Sequence, residues 1–180
     1  MNDVININSN YGGIYQNRKV LVTGHTGFKG SWLCLLLNSL GADVYGYALE
    51  PPTDPSLYCE ANVEEVMTSF IGDVRDHDYL LEVFNKVQPE IVIHMAAQAL
   101  VRESYQSPVA TYSTNTMGTV HLFEACRNIS SVKAVINVTT DKCYKNKEFK
   151  SGYLETNELG GHDPYSASKA AAENIFYAYD

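Results

Sequence analysis

Tyr165 and Lys169 stand four residues apart in Tyr165-Ser166-Ala167-Ser168-Lys169. On a helix that spacing places both side chains on one face. An ammonium beside a phenol favours the phenolate, so such a tyrosine can give or take a proton near neutral pH. A second cluster, Thr139-Thr140-Asp141-Lys142-Cys143-Tyr144, sets a hydroxyl, an acid and a base side by side. A third, Gly24-His25-Thr26-Gly27-Phe28-Lys29-Gly30, repeats glycine at every third position. Glycine lets a backbone approach a pyrophosphate closely. A helix opening there offers free NH groups and the positive end of its dipole. Each cluster also has a plain reading: a surface Tyr–Lys pair, an ion-paired loop, and a tight strand-to-helix turn.

The elements that position these residues follow from the apolar pattern. Residues 1–17 read as a flexible, polar, Asn-rich lead-in, and residues 18–180 as one domain. Strands are expected over 18–23, 44–49, 65–71, 91–95 and 132–138, as short apolar runs rather than alternating ones. Helices are expected over 28–40, stopping at Gly41, over 76–87 with Leu80, Leu81, Phe84 and Val87 on one face, over 108–127 and over 166–179. Tyr112, Thr119 and Phe123 are apolar-leaning positions of the third helix, and its interior Gly118 marks close packing. Pro51, Pro52 and Pro55 enforce a loop, and a polar loop runs over 146–164. Alternating strands and helices predict an α/β, Rossmann-like, doubly wound parallel sheet. The carboxyl ends of its strands face the ligand crevice, which is where the glycine turn and the Thr-Asp-Lys run fall.

Composition narrows the function classes. The chain of 180 residues is 45% hydrophobic and 19% charged, as expected of an ordinary globular domain. A net charge of −8 argues against a nucleic-acid partner. No apolar run reaches the roughly 20 residues that span a bilayer, and no signal-peptide pattern opens the chain. Cys34, Cys59, Cys126 and Cys143 show no metal-binding or disulfide spacing, so reduced thiols and a cytoplasmic setting are expected, with no metal site.

Thr23 to Gly30 reads Thr-Gly-x-x-Gly-x-x-Gly, and with Tyr165 and Lys169 it resembles the short-chain dehydrogenase/reductase superfamily, especially its extended branch. The resemblance implies a bound NAD, with NADP not excluded. Gly24, Gly27 and Gly30 would form the turn, and Phe28 and Lys29 would offer NH groups to pyrophosphate. Asp73 would bind adenine, with Val74 beside it, or else serve as a helix cap, a role better suited to Asp76. Ala96, Ala97 and Gln98 would line the cofactor ribose, and Asn115 would organise the site or be a solvated helix residue. Tyr165 would be the acid/base and Lys169 would hold the nicotinamide ribose. At the end of the second strand the usual ribose-binding acid is replaced by Ala48. Glu50 either serves instead or is a surface carboxylate. No arginine stands there for a 2′-phosphate, which favours NAD.

Simple dehydrogenases of that superfamily need only the hydroxyl residue with Tyr and Lys. An acid and a base next to Thr140 imply a second proton-transfer task, the one that nucleotide-sugar 4,6-dehydratases perform. Asp141 is then the acid for the departing 6-hydroxyl. Lys142, where relatives carry Glu, is the candidate C5 base, provided burial near other cations frees it of its proton. Gly24 to Trp32, Gly46 to Leu57, His94 to Arg102, Glu155 to Gly161 and Asp163-Pro164-Tyr165 look most like the CDP-glucose branch of that family. By this resemblance Ser104 and Arg102 touch the nucleotide-sugar substrate, and a homodimer forms through the Tyr/Lys helix and its neighbour. Family members are about twice as long. The chain is therefore expected to lack the sixth strand and the substrate-binding lobe, and to turn over weakly or not at all alone. A nucleotide-sugar epimerase or reductase, and a cofactor-binding module without catalysis, are the competing readings.

Overall fold

A computed structural model describes residues 11–179. The lead-in expected over 1–17 lies partly outside the described residues. Residues 11–17 are a run of turns, and the Asn17 NH donates to the Gly41 carbonyl at 2.8 Å. Tyr15 packs on the core here, so this part of the lead-in is anchored.

Five strands, β1 (Lys19–Thr23), β2 (Asp43–Ala48), β3 (Thr68–Ile71), β4 (Ile91–His94) and β5 (Ala134–Asn137), pair in parallel in the order β3-β2-β1-β4-β5. Central β1 is buried along nearly its whole length because both sheet faces are covered there. Val20 and Val22 point to one face, with Cys34 and Leu37 of helix α1 (Phe28–Ser39). Leu21 points to the other, with Leu80, Val83 and Phe84 of α3 (His77–Val87) and Leu122 of α6 (Gly118–Asn128). A short α2 (Leu57–Glu60) lies between β2 and β3. The expected doubly wound sheet is the observed one.

Several local expectations change. The third strand begins at Thr68, not at residue 65, because Val63–Val66 is a 3₁₀ turn with Val63 buried. The α3 face buries Val83 rather than Leu81, and Asp76 caps that helix by accepting from the Tyr79 NH at 3.1 Å. The long helix is three pieces: α5 (Pro108–Tyr112), a π turn (Ser113–Met117) and α6. Tyr112 is exposed, whereas Thr119 and Phe123 are buried. Gly118 is explained by contact: a Cβ there would stand 2.7 Å from Val74 Cγ2. Another short helix, α4 (Val101–Gln106), precedes α5. The last helix, α7 (Pro164–Tyr179), starts earlier than residue 166. Asp163 accepts from the Ser166 NH at 2.9 Å, and Pro164 takes the first helical position, where no NH is needed. Among the described residues no helix is long and apolar enough to cross a membrane.

Candidate active site

The β1 and β4 carboxyl ends adjoin at the switch point of the sheet, where connections leave toward opposite faces. Gly24, at φ +75°, turns the chain out of β1. A Cβ on it would lie 2.9 Å from the Ala96 nitrogen, so the β1 turn and the β4 loop touch backbone to backbone. A Cβ on Gly30 would lie 2.1 Å from the Gly24 carbonyl oxygen, so α1 is packed directly on the turn. Gly27 is the N-cap and provides no side-chain acceptor. The first-turn NH groups of Phe28 and Lys29 are thereby left to a ligand. This cradle, closed to a Cβ at Gly24 and Gly30 and open in its NH donors, fits a dinucleotide pyrophosphate. Phe28 is itself exposed.

The flanking strand ends supply the rest of the expected cofactor set. Asp73 follows β3 and receives Arg75 Nε on both carboxylate oxygens at 3.0 and 2.9 Å, which holds its carboxyl below the usual range. Tyr47 donates to the Asp73 carbonyl at 2.9 Å, and Val74 is buried beneath Gly118. Ala48 is buried and Glu50 exposed at the end of β2, while Thr26 ties the glycine turn to the Leu49 carbonyl at 2.8 Å. Ala96 and Ala97 are half-buried beside the turn. Gln98 spends its carboxamide locally, donating to Thr111 Oγ1 at 2.9 Å and to the Leu100 carbonyl at 3.1 Å.

Asn115 is buried in the π turn and is not solvated. Its Oδ1 accepts from the Gln98 NH at 2.8 Å, and its Nδ2 donates to the Gln98 carbonyl and to Ser168 Oγ, each at 2.9 Å. Ser168 in turn donates to the Tyr165 carbonyl at 2.7 Å. The asparagine thus clamps the first turn of α7. Lys169 lies one turn beyond Tyr165, is buried, and donates from Nζ to the Val138 carbonyl at 3.1 Å. Burial lowers its pKa to about 8, with Lys29 adding in the same direction and Glu173 opposing. The Tyr165 hydroxyl has no protein partner among the described residues.

Thr140, Asp141 and Lys142 follow β5 on a 3₁₀ turn (Asp141–Cys143) capped by Thr140, whose Oγ1 accepts from the Lys142 NH at 3.3 Å and donates to Asp141 Oδ1 at 3.1 Å. Asp141 and Lys142 are both exposed, and no ion pair joins them among the described residues. The burial expected of Lys142 is found at Lys169 instead. On α4, Arg102 is exposed, whereas Ser104 is fully buried and donates to the Val101 carbonyl at 2.7 Å. Ser168 and Glu173, the latter paired with Thr139, were not singled out by sequence reasoning. Their position at three and eight residues beyond Tyr165 on one helix is the signal that finds them.

Residues 21–180 match the family model of GDP-mannose 4,6 dehydratase. The chain belongs to that family. It is 53% identical to a CDP-glucose 4,6-dehydratase of Salmonella typhimurium over 92% of this chain and 46% of that protein. A CDP-paratose 2-epimerase of Salmonella typhi is 29% identical over 89% of this chain and 52% of the relative. Among solved structures, a UDP-glucose 4-epimerase of Brucella ovis in complex with NAD superposes with a TM-score of 0.77 at 28% identity, over 90% of this chain and 47% of that one. The chain spans about half the length of the curated relatives it matches.

Proposed function

We propose that this chain is the cofactor-binding and catalytic half of a nucleotide-sugar 4,6-dehydratase that converts CDP-glucose to CDP-4-dehydro-6-deoxyglucose. The observation that carries the reading is the Thr140-Asp141-Lys142 turn at the carboxyl end of β5, the same end whose Val138 carbonyl holds Lys169. The 53% identity to a CDP-glucose 4,6-dehydratase supports the choice of base and sugar. NAD is favoured because Glu50 is free at the β2 end and Arg75 is engaged by Asp73.

Bound in the glycine cradle, NAD would supply the capacity to take a hydride from the sugar and return it. The chain's own residues do the rest. Gly24, Gly27 and Gly30 hold the pyrophosphate with the Phe28 and Lys29 NH groups, and Asp73, Val74, Ala96, Ala97 and Gln98 line the nucleoside portions. Asn115 fixes the start of α7, Lys169 holds the ribose near the nicotinamide, and Tyr165 Oη takes the proton of the sugar 4-hydroxyl with Thr140 as its hydroxyl partner. A ketone at C4 acidifies C5–H. Asp141 gives a proton to the departing 6-hydroxyl, and Lys142, exposed in this chain, is the base for C5–H once bound substrate covers it and frees it of its proton. Arg102 contacts the substrate, and Ser104, buried on the Val101 carbonyl, holds the turn that carries it. The functional unit is a cytoplasmic homodimer built on α6 and α7.

An epimerase or reductase would share the glycines, Tyr165 and Lys169 without needing Asp141. Epimerases among the relatives and structural neighbours keep that reading in view. Asp141→Asn in the parent enzyme separates the two. It should lower kcat for dehydration at least a hundredfold while leaving NAD affinity within about twofold. Appearance of the alkali-absorbing 4-keto sugar is the assay, with CDP-, dTDP- and GDP-sugars in parallel. Failure of the wild-type parent to form the 4-keto sugar would reject dehydration, and an unchanged kcat in Asp141→Asn would reject Asp141 as its acid.

A further inference from the structure

His94 closes β4 and is buried directly beneath the switch point. Both ring nitrogens are bonded: Nδ1 to Thr23 Oγ1 at 2.7 Å and Nε2 to Thr119 Oγ1 at 3.3 Å. The direction of each bond follows from the partners' other bonds. Thr23 Oγ1 accepts from the Met95 NH and the Ala96 NH, each at 3.1 Å, so its lone pairs are committed and its proton has one place to go, His94 Nδ1. At the other end, Thr119 Oγ1 lies 2.6 Å from the Asn115 carbonyl, which can only accept. Thr119 therefore spends its proton there and must receive one from His94 Nε2. Two independent ends of the chain of bonds require the same tautomer, protonated on Nε2 and bare on Nδ1.

The relay ends on the Asn115 backbone carbonyl, and the carboxamide of the same residue starts a second set of bonds into the site. Asn115 is oriented by the Gln98 NH, which can only donate to Oδ1, so Nδ2 faces Ser168 Oγ, and Ser168 faces the Tyr165 carbonyl. The Met95 and Ala96 NH groups at the head of the relay belong to the loop against which Gly24 packs. The relay crosses α6 at the π turn, where the Thr119 hydroxyl takes up a carbonyl of the irregular stretch.

We infer that His94, locked as the Nε2–H tautomer, is a positioning residue that couples the backbone around the glycine turn, through Thr119 and Asn115, to the first turn of the helix bearing Tyr165. It touches neither cofactor nor substrate and transfers no proton. Burial, reinforced by the nearby Lys169 charge, holds its pKa down to about 3, which keeps the ring neutral as the relay requires.

The role rests on the proposed reading of Asn115 and Tyr165 as site residues, so its test reads nuclei rather than turnover and can fail while dehydration stands, or the reverse. In the wild-type chain labelled with ¹⁵N-histidine, His94 Nε2 should resonate as a protonated, pyrrole-type nitrogen and Nδ1 as a bare, pyridine-type one. The opposite assignment, or a doubly protonated ring at pH 7, overturns the inference without any variant. In Thr119→Val the Asn115 carboxamide protons should exchange with solvent at least tenfold faster than in wild type, with protection of the α7 backbone amides outside its first turn unchanged. Thr119→Ser, which keeps the hydroxyl, should restore slow exchange. Equal exchange in Val and Ser variants, or loss of protection throughout α6 and α7, would show packing alone and overturn it.

Discussion

Single atoms decide the behaviour of the glycine turn. Gly30→Ala would drive a Cβ to 2.1 Å from the Gly24 carbonyl oxygen, and backbone rather than a flexible side chain would have to give way. NAD affinity by calorimetry is expected to fall at least a hundredfold, with a lower melting temperature. An affinity within threefold of wild type would contradict the cradle. The buried histidines set the acid response. Burial lowers His94 to about 3 and His25 to about 4 from an ordinary 6.5. Between those values the unfolded chain binds protons that the native chain refuses. The stability that depends on neutral rings is complete above pH 6.5 and is lost as pH falls toward 3 to 4. Each histidine adds a slope of about 1.4 kcal/mol per pH unit in that window. Urea midpoints should decline steadily from pH 7 toward about pH 4, and His94→Gln should flatten the decline by about one proton. A midpoint independent of pH over that range would refute the assignment.

At the scale of elements, each side chain proposed as catalytic depends on how its helix or turn begins. Tyr165 follows a helix start fixed by Asp163, which accepts both the Ser166 NH and, at 2.6 Å, the Ser166 hydroxyl. Asp163→Ala should cost about 1 kcal/mol of stability and loosen the first turn of α7. Calorimetric melting and hydrogen exchange at Ser166 to Ser168 would measure it. No change in either would mean that Pro164 and the Asn115–Ser168 bond suffice. The start of α3 was legible because an Asp-His opening is a cap signal, whereas the Asp-Pro opening starts α7 two residues before the one expected. The π turn was not legible, because Ser113 to Met117 differ little in propensity from an ordinary helix. It forms where Asn115 must meet Gln98 and Ser168 at once, a tertiary demand.

For the whole molecule, one sheet face is covered unevenly. The face under α3, α6 and α7 is covered except for a cavity beside Phe123, Val135 and Phe176, and on the α1 side β4 and β5 present Ile93, Met95, Ile136 and Val138 to a wide apolar groove that Trp32 and Leu36 also line. Ile136 is 47% exposed on an edge strand that, among the described residues, pairs only with β4. The 180-residue chain alone is expected to self-associate through this groove and edge. Sedimentation velocity should show concentration-dependent species, and Ile136→Lys should shift them toward monomer. A monodisperse monomer at all concentrations would show that the face is tolerated in water.

The sequence by itself determined the parallel α/β sheet, the glycine turn and the Tyr165–Lys169 pair. Apolar runs, glycines and caps act through neighbours in the chain, and their physics is local. It also ordered Thr140, Asp141 and Lys142 correctly after the fifth strand. Only the tertiary structure decided that Lys169 rather than Lys142 is the buried lysine, that Ser104 faces inward, and that Asn115 is a clamp rather than a solvated residue. Burial and bond direction are set by which strand ends and helices meet. His94 shows the reason most plainly: its tautomer is fixed by Thr23, 71 residues before it, and by Thr119, 25 residues after it.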